Sequence, residues 1–148
     1  MRNLIYILIA LVVSLFSCKN EDLMLTETEK ELINSASVEM PFYVLQTTVE
    51  ADSVFLRLKA KDVDVASIGK DEDLAQLIAR MKVTLMQEHG VGLAAPQVGI
   101  SRNVFLFMRI DQPDSLIITT AINPKIVNHS DETVCFEGDG CLSIPDVA

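Results

Sequence analysis

The sequence predicts an α+β domain, on three observations. One segment, Asp71 to about His89, carries a long apolar stripe at helical spacing. The other apolar runs are short and rich in β-branched and aromatic residues, and no strand-helix-strand rhythm recurs to suggest a doubly wound sheet. A length of 148 residues with 49% apolar content supplies one compact core and is too short for two. The net charge of −9, with two Tyr, six Phe and no Trp, offers neither a phosphate-neutralising patch nor a base-stacking platform, so nucleic acid is excluded as a partner. Six Gly, five Pro and no internal repeat set aside fibrous and solenoid architectures.

The chain opens as an address. Arg2 precedes Leu4 to Phe16, an apolar run shorter than the roughly 20 residues that span a bilayer, as in a secretory signal. Leu15-Phe16-Ser17-Cys18 resembles the lipobox of bacterial lipoproteins, and Lys19-Asn20-Glu21-Asp22 resembles a surface-export signal found behind it in some Gram-negative groups. These resemblances imply a signal peptide over 1–17, lipid on Cys18 and a place in the cell envelope, at the outer membrane or cell surface. A cleaved secretory signal and an uncleaved anchor are the alternatives. Residues 18–39 are then expected to be a tether with a short helix, since Thr26 and Glu29 have the spacing of a capping box before Leu32 and Ile33. The main domain is expected over 40–148.

Within that domain, Pro41 to Val49 reads as extended chain, and a turn at Ala51 to Ser53 leads into Val54-Phe55-Leu56-Arg57. The strong helix follows. Leu74, Leu77, Ile78, Met81 and Leu85 form its stripe, Asp71, Glu72 and Asp73 lie at the positive end of its dipole, and Gly90 is expected to take the left-handed residue that ends it. Val104 to Ile110 reads as a mostly buried strand, Asp111 to Ser115 as a turn, and Leu116 to Thr120 and Lys125 to Asn128 as further strand material around Ile122-Asn123-Pro124.

Two segments carry chemistry. Gly90-Val91-Gly92-Leu93-Ala94-Ala95-Pro96-Gln97 combines glycines and small alanines, which leave backbone open to a ligand, with a closing amide; a tight turn into a strand is the plainer reading. Gly138-Asp139-Gly140-Cys141-Leu142-Ser143-Ile144-Pro145 sets a Cys among glycines on an open loop. Cys135 and Cys141 fit a C-x5-C disulfide, a role for one of them, Cys141 foremost, as metal ligand or nucleophile, or two thiols without a special role.

Together the two segments resemble peptide deformylases, whose hallmarks are G-x-G-L-A-A-x-Q, E-G-C-L-S and, further on, H-E-x-x-H. The first hallmark matches at every specified position, and the second matches at Gly140, Cys141, Leu142 and Ser143 with Asp139 where the family has Glu. Val54 with Leu56-Arg57, Asp73 with Leu74, and Ile122-Asn123-Pro124 agree in the right order, so the resemblance covers about Met40 to Val147. It implies a deformylase-like α+β fold of short antiparallel strands around a helix, and hydrolysis of the formyl group from the N-terminal formyl-methionine of peptides. Cys141 would be one ligand of a divalent metal, iron(II) or zinc. The Gln97 side-chain amide and the Leu142 N–H would stabilise the oxyanion, Gly92 would pair with the peptide backbone, and Val91 would help line the methionine pocket.

The third hallmark does not occur in these residues. The two histidines, His89 and His129, lack the i, i+4 pairing, and with Cys135 and Cys141 they fit no common zinc spacing. The expectation is therefore a deformylase chain lacking its C-terminal metal-binding helix and inactive by itself, acting on N-formylated peptides when complete and held at a membrane by lipid. The alternative is a metal-free envelope lipoprotein that uses a deformylase-like cleft to bind peptides. A complete envelope enzyme acting on exogenous formylated peptides is the third possibility.

Overall fold

The structure, a computed structural model, describes residues 21–109, 117–135 and 140–145. Cys18 and the apolar leader lie outside them, as do the expected turn at 111–115 and residues Gly138 and Asp139. The described elements are α1 (Glu27–Ile33), α2 (Glu50–Leu56), α3 (Glu72–Gln87), β1 (Gly92–Ala94), β2 (Val104–Met108) and β3 (Ile118–Ile122), with short 3-10 turns between several of them. The strands form one antiparallel sheet in the order β1-β2-β3, so the α+β expectation holds.

α1 starts as its sequence dictates. The Glu29 N–H donates to Thr26 Oγ1 at 3.2 Å and the Thr26 N–H to a Glu29 carboxylate oxygen at 2.8 Å, which satisfies two end groups reciprocally. The stretch expected to be a tether is instead part of the core from Leu25 onward, because Leu25 and Ile33 are buried together with Leu77, Met81 and Leu106. Burial on one face of α1 makes it an integral layer of the domain.

The expected turn at Ala51 to Ser53 is also corrected, since these residues lie inside α2. Glu50 and Asp52 in its first turn complement the helix dipole. Asp52 additionally accepts the Gln46 N–H at 3.0 Å, so the helix is tied to the extended chain before it.

α3 begins at Asp71, whose side chain accepts the Leu74 N–H at 3.1 Å, and it buries Leu74, Leu77, Met81 and Leu85 as its stripe predicts. Its end differs from expectation. The Gly90 N–H donates to Leu85 O at 3.0 Å and the His89 N–H to Met86 O at 3.3 Å, a Schellman arrangement in which the left-handed residue is His89, at φ 53°. Gly90 instead lets two leucine side chains close over it: a Cβ there would stand 2.8 Å from Leu142 Cδ1 and 3.0 Å from Leu85 Cδ1, and the Leu142 side chain would have to shift.

β1 pairs with β2 as Gly92 with Phe107 and Ala94 with Phe105; β2 pairs with β3 as Val104 with Ile122 and Met108 with Ile118. Leu93, Val104 and Leu106 enter the core, with Ile118 and Ile122 packed beside them. Asn123, at φ 50°, pairs its side-chain amide with both backbone groups of Val63 at 2.8 Å each, which gives the Ile-Asn-Pro segment its structural reason. Lys125 to Asn128 does not form the expected strand: Ile126 and Val127 are 90% and 94% exposed and pair with no neighbour among the described residues.

Candidate functional site

The site is built where β1 runs into a one-turn 3-10 helix at Ala95–Val98. Pro96 sets the turn, and Gly99, at φ 81°, closes it with its N–H on Pro96 O at 3.2 Å. Gln97 faces back along the strand. Its Oε1 accepts the Ala94 N–H at 2.8 Å, so the side chain caps the turn as a structural role would require. Its Nε2 then donates to Ser143 Oγ at 3.1 Å, which joins the two glycine-rich segments. One of the two Nε2 hydrogens is used in this bond.

The second segment is a tight turn: the Ile144 N–H donates to Cys141 O at 2.9 Å and sets Leu142 and Ser143 at the bend. Ser143 is buried, Cys141 is exposed, and the Leu142 side chain packs on the core next to Leu85 and Gly90. The Leu142 N–H has no acceptor among the described residues. Neither Cys135 nor Cys141 is in a disulfide, and both are exposed.

Strand alternation defines what β1 offers to a ligand. The Met108 N–H donates to Val91 O at 2.8 Å, so Val91 and Leu93 turn their backbone groups toward β2. The intervening Gly92 therefore presents its N–H and C=O to the opposite, open edge, as the Ala94 N–H does in reaching Gln97. A Cβ at Gly92 would meet only Leu106 O, at 3.4 Å, so packing inside the protein does not demand glycine there. Val91 is 70% exposed beside this edge.

The structure thus brings Gln97 and Leu142 to one place, with Cys141 adjacent in sequence and Gly92 and Val91 on the neighbouring edge. It also adds a group that sequence reasoning missed. Gln46 Nε2 donates to Leu142 O at 3.0 Å and the Thr47 N–H to Ser143 O at 2.8 Å, so the extended stretch before α2 holds the Cys141 loop. Nothing in the local pattern around Gln46 marks it, since its partner lies 96 positions away.

The family's metal is not matched by the groups described. Among the described residues no three His, Cys, Asp or Glu side chains lie together in a position to hold an ion. His129 is exposed with Nδ1 at 3.2 Å from Ser130 O, and His89 is exposed at the end of α3. Cys141 supplies one sulfur donor, which is not a metal site by itself.

The sequence profile described as polypeptide deformylase matches residues 45–148. The chain belongs to the polypeptide deformylase family. Peptide deformylase 1B, chloroplastic/mitochondrial, of Arabidopsis thaliana is 32% identical over 113 residues, covering 76% of this chain and 40% of the relative. The peptide deformylase of Acetivibrio thermocellus is 44% identical over 93 residues, covering 63% and 48%. The crystal structure of class I type b peptide deformylase from Acinetobacter baumannii with Met-Ala-Ser bound superposes with a TM-score of 0.60 at 31% identity, covering 73% of this chain and 67% of that one. The chain spans about half the length, or less, of these curated relatives. The profile match starts at residue 45, and Leu25, Ile33 and Phe42, which precede it, pack into the same core as the matched residues.

Proposed function

We propose that the protein acts in hydrolytic deformylation of peptides bearing N-terminal formyl-methionine, and that these 148 residues supply its substrate edge and oxyanion donors. The observation that carries this reading is the convergence of the Gln97 amide and the Leu142 N–H, which has no acceptor among the described residues, beside the open edge at Gly92. An extended peptide would add to β1 by pairing with the Gly92 N–H and C=O, with its methionine side chain against Val91. Its formyl oxygen would take the second Nε2 hydrogen of Gln97 and the Leu142 N–H. As water adds to the formyl carbon, negative charge develops on that oxygen, and each preorganised donor stabilises it by roughly 2.7–4 kcal/mol in comparable sites. Breaking the C–N bond releases formate and a free amine.

Peptide deformylases are metalloenzymes, and iron(II) or zinc is the ion proposed for this one. Cys141 is the ligand that this chain would contribute; the described donors do not complete a site for the ion. The 148-residue chain is expected to release no formate from a formyl-Met peptide above free metal. The same donor set favours a second reading of the chain as it stands, a metal-free peptide-binding lipoprotein. Titration of the 15N-labelled chain with formyl-Met-Ala-Ser and with Met-Ala-Ser separates them. Donors in contact with the formyl oxygen should bind the formylated peptide more tightly, with shifts at Gly92, Gln97 and Leu142; equal affinity, or no binding, rejects formyl-oxygen recognition by Gln97 and Leu142.

For location we propose that Cys18 carries lipid. The Asp22 carbonyl is already held by Arg102, and the four residues from Cys18 to Asp22 reach at most about 14 Å, so the body would sit close to the membrane surface. Labelling with a fatty-acid analogue should tag the wild type and fail on Cys18→Ala; equal labelling of both removes the assignment.

A further inference from the structure

The loop of Cys141 and Leu142 has no regular structure of its own, so the direction of the Leu142 N–H depends on what holds the two peptide planes on either side of the Leu142 Cα. The first plane contains the Cys141 C=O and the Leu142 N–H. Its carbonyl accepts the Ile144 N–H at 2.9 Å, and a trans peptide then points the Leu142 N–H the opposite way, out of the turn. The second plane contains the Leu142 C=O, and it is held by Gln46 Nε2 at 3.0 Å. Gln46 is itself fixed at both ends. Its other Nε2 hydrogen goes to Val44 O at 3.1 Å, and its backbone N–H goes to Asp52 Oδ2 at 3.0 Å on α2. Both amide hydrogens are spent on carbonyls, which leaves none for a ligand.

We propose that Gln46 is a positioning residue for formyl-oxygen recognition, acting through the Leu142 C=O to keep the Leu142 N–H aimed at the open edge beside Gln97. The proposal rests on the deformylase reading of Leu142 as an oxyanion donor. With both amide hydrogens spent, Gln46 has none to donate to a substrate; its role is to remove a rotation that would otherwise turn the Leu142 donor away. Ser143 does the matching task for Gln97, because its Oγ takes one hydrogen of that amide and directs the other.

The test compares the affinities of formyl-Met-Ala-Ser and Met-Ala-Ser for the 148-residue chain, by 15N NMR titration, in wild type, Gln46→Met and Gln46→Asn. Methionine keeps the length without a donor, and asparagine keeps the donor but falls one methylene short, so the second variant serves where the first does not fold. The expected result is a loss of the preference for the formylated peptide by about threefold to tenfold, as one neutral hydrogen bond allows, with Met-Ala-Ser affinity unchanged. A preference retained in either folded variant overturns the proposal, and so does an equal loss of affinity for both peptides, which would mean general loosening. Absence of any preference in the wild type instead rejects formyl-oxygen recognition by Gln97 and Leu142, and the proposal with it.

Discussion

Two regions of this domain hold irregular backbone in place with buried or half-buried side chains, and they use different chemistry. At the N-terminal layer the holders are guanidinium groups. Arg102, 1% exposed, grips the Glu29 carboxylate with Nε at 2.9 Å and 3.0 Å and a terminal nitrogen at 2.7 Å, and it donates further to the carbonyls of Asp22 at 2.9 Å and of Met24. Arg80, without a carboxylate, collects the carbonyls of Ile33 at 2.7 Å, Met40 at 3.0 Å and Leu32 at 3.1 Å, with Phe42 stacked 3.9 Å from its charge. At the candidate site the holders are neutral amides, Gln46 and Gln97, and one hydroxyl, Ser143. Hydrogen bonds to charged groups are worth roughly twice neutral ones, and a guanidinium makes up to five. The N-terminal layer is therefore locked, while the site is held by bonds of about 1 kcal/mol each that a ligand can compete with.

That contrast is broken most severely at Arg102. Arg102→Ala leaves the half-buried Glu29 with only its Thr26 hydrogen bonds and the carbonyls of Asp22 and Met24 without their donor, and a loss of about 3 kcal/mol is expected in urea unfolding. A loss under 1 kcal/mol would show that the N-terminal layer is no lock.

Acid probes the same pair. Burial pushes the Glu29 carboxyl up, but its hydrogen bonds from Arg102 and from the Thr26 N–H outweigh this and hold it below the usual range. A carboxylate lowered on folding contributes stability that is complete above its unfolded value, about 4.3, and disappears as pH falls through the lower folded value. Melting temperature should thus drop from about pH 4.3 downward, and Glu29→Gln should flatten part of that limb. An unchanged acid limb in Glu29→Gln would assign it to other carboxylates.

On the site side, Gln97→Ala removes the cap on Ala94 and should cost about 1 kcal/mol, far less than Arg102→Ala, while abolishing any preference for a formylated peptide. Loss of stability with the preference intact would leave Gln97 as a cap alone. The smallest effect is expected at His89, where a side chain occupies the left-handed position that ends α3. His89→Gly should raise stability by up to about 1 kcal/mol by thermal unfolding, and a decrease would show that the His side chain offsets its backbone strain.

Local signals in the sequence decided a good deal of this protein. The stripe from Leu74 to Leu85, the Asp71 cap and the Thr26–Glu29 box each involve residues within a few positions of one another, so helical geometry expresses them wherever the helix lies. The two glycine-rich segments were legible for a similar reason: each motif is contiguous, and its resemblance to a family needs no partner elsewhere. The helix at Glu50–Leu56 was missed because none of its residues is fully buried, so no stripe announces it.

Long-range partners were decided only in three dimensions. Arg102 and Glu29 are 73 positions apart, and Gln46 and Leu142 are 96 apart; no period or cap relates them. The same applies to Gly90, whose sequence fits a helix-ending left-handed turn, but whose place is set by Leu142 arriving from the far end of the described chain. Backbone conformation is chosen over a few residues and can be read along the chain, whereas the direction of a single N–H beside the site depends on side chains that only the folded core brings together.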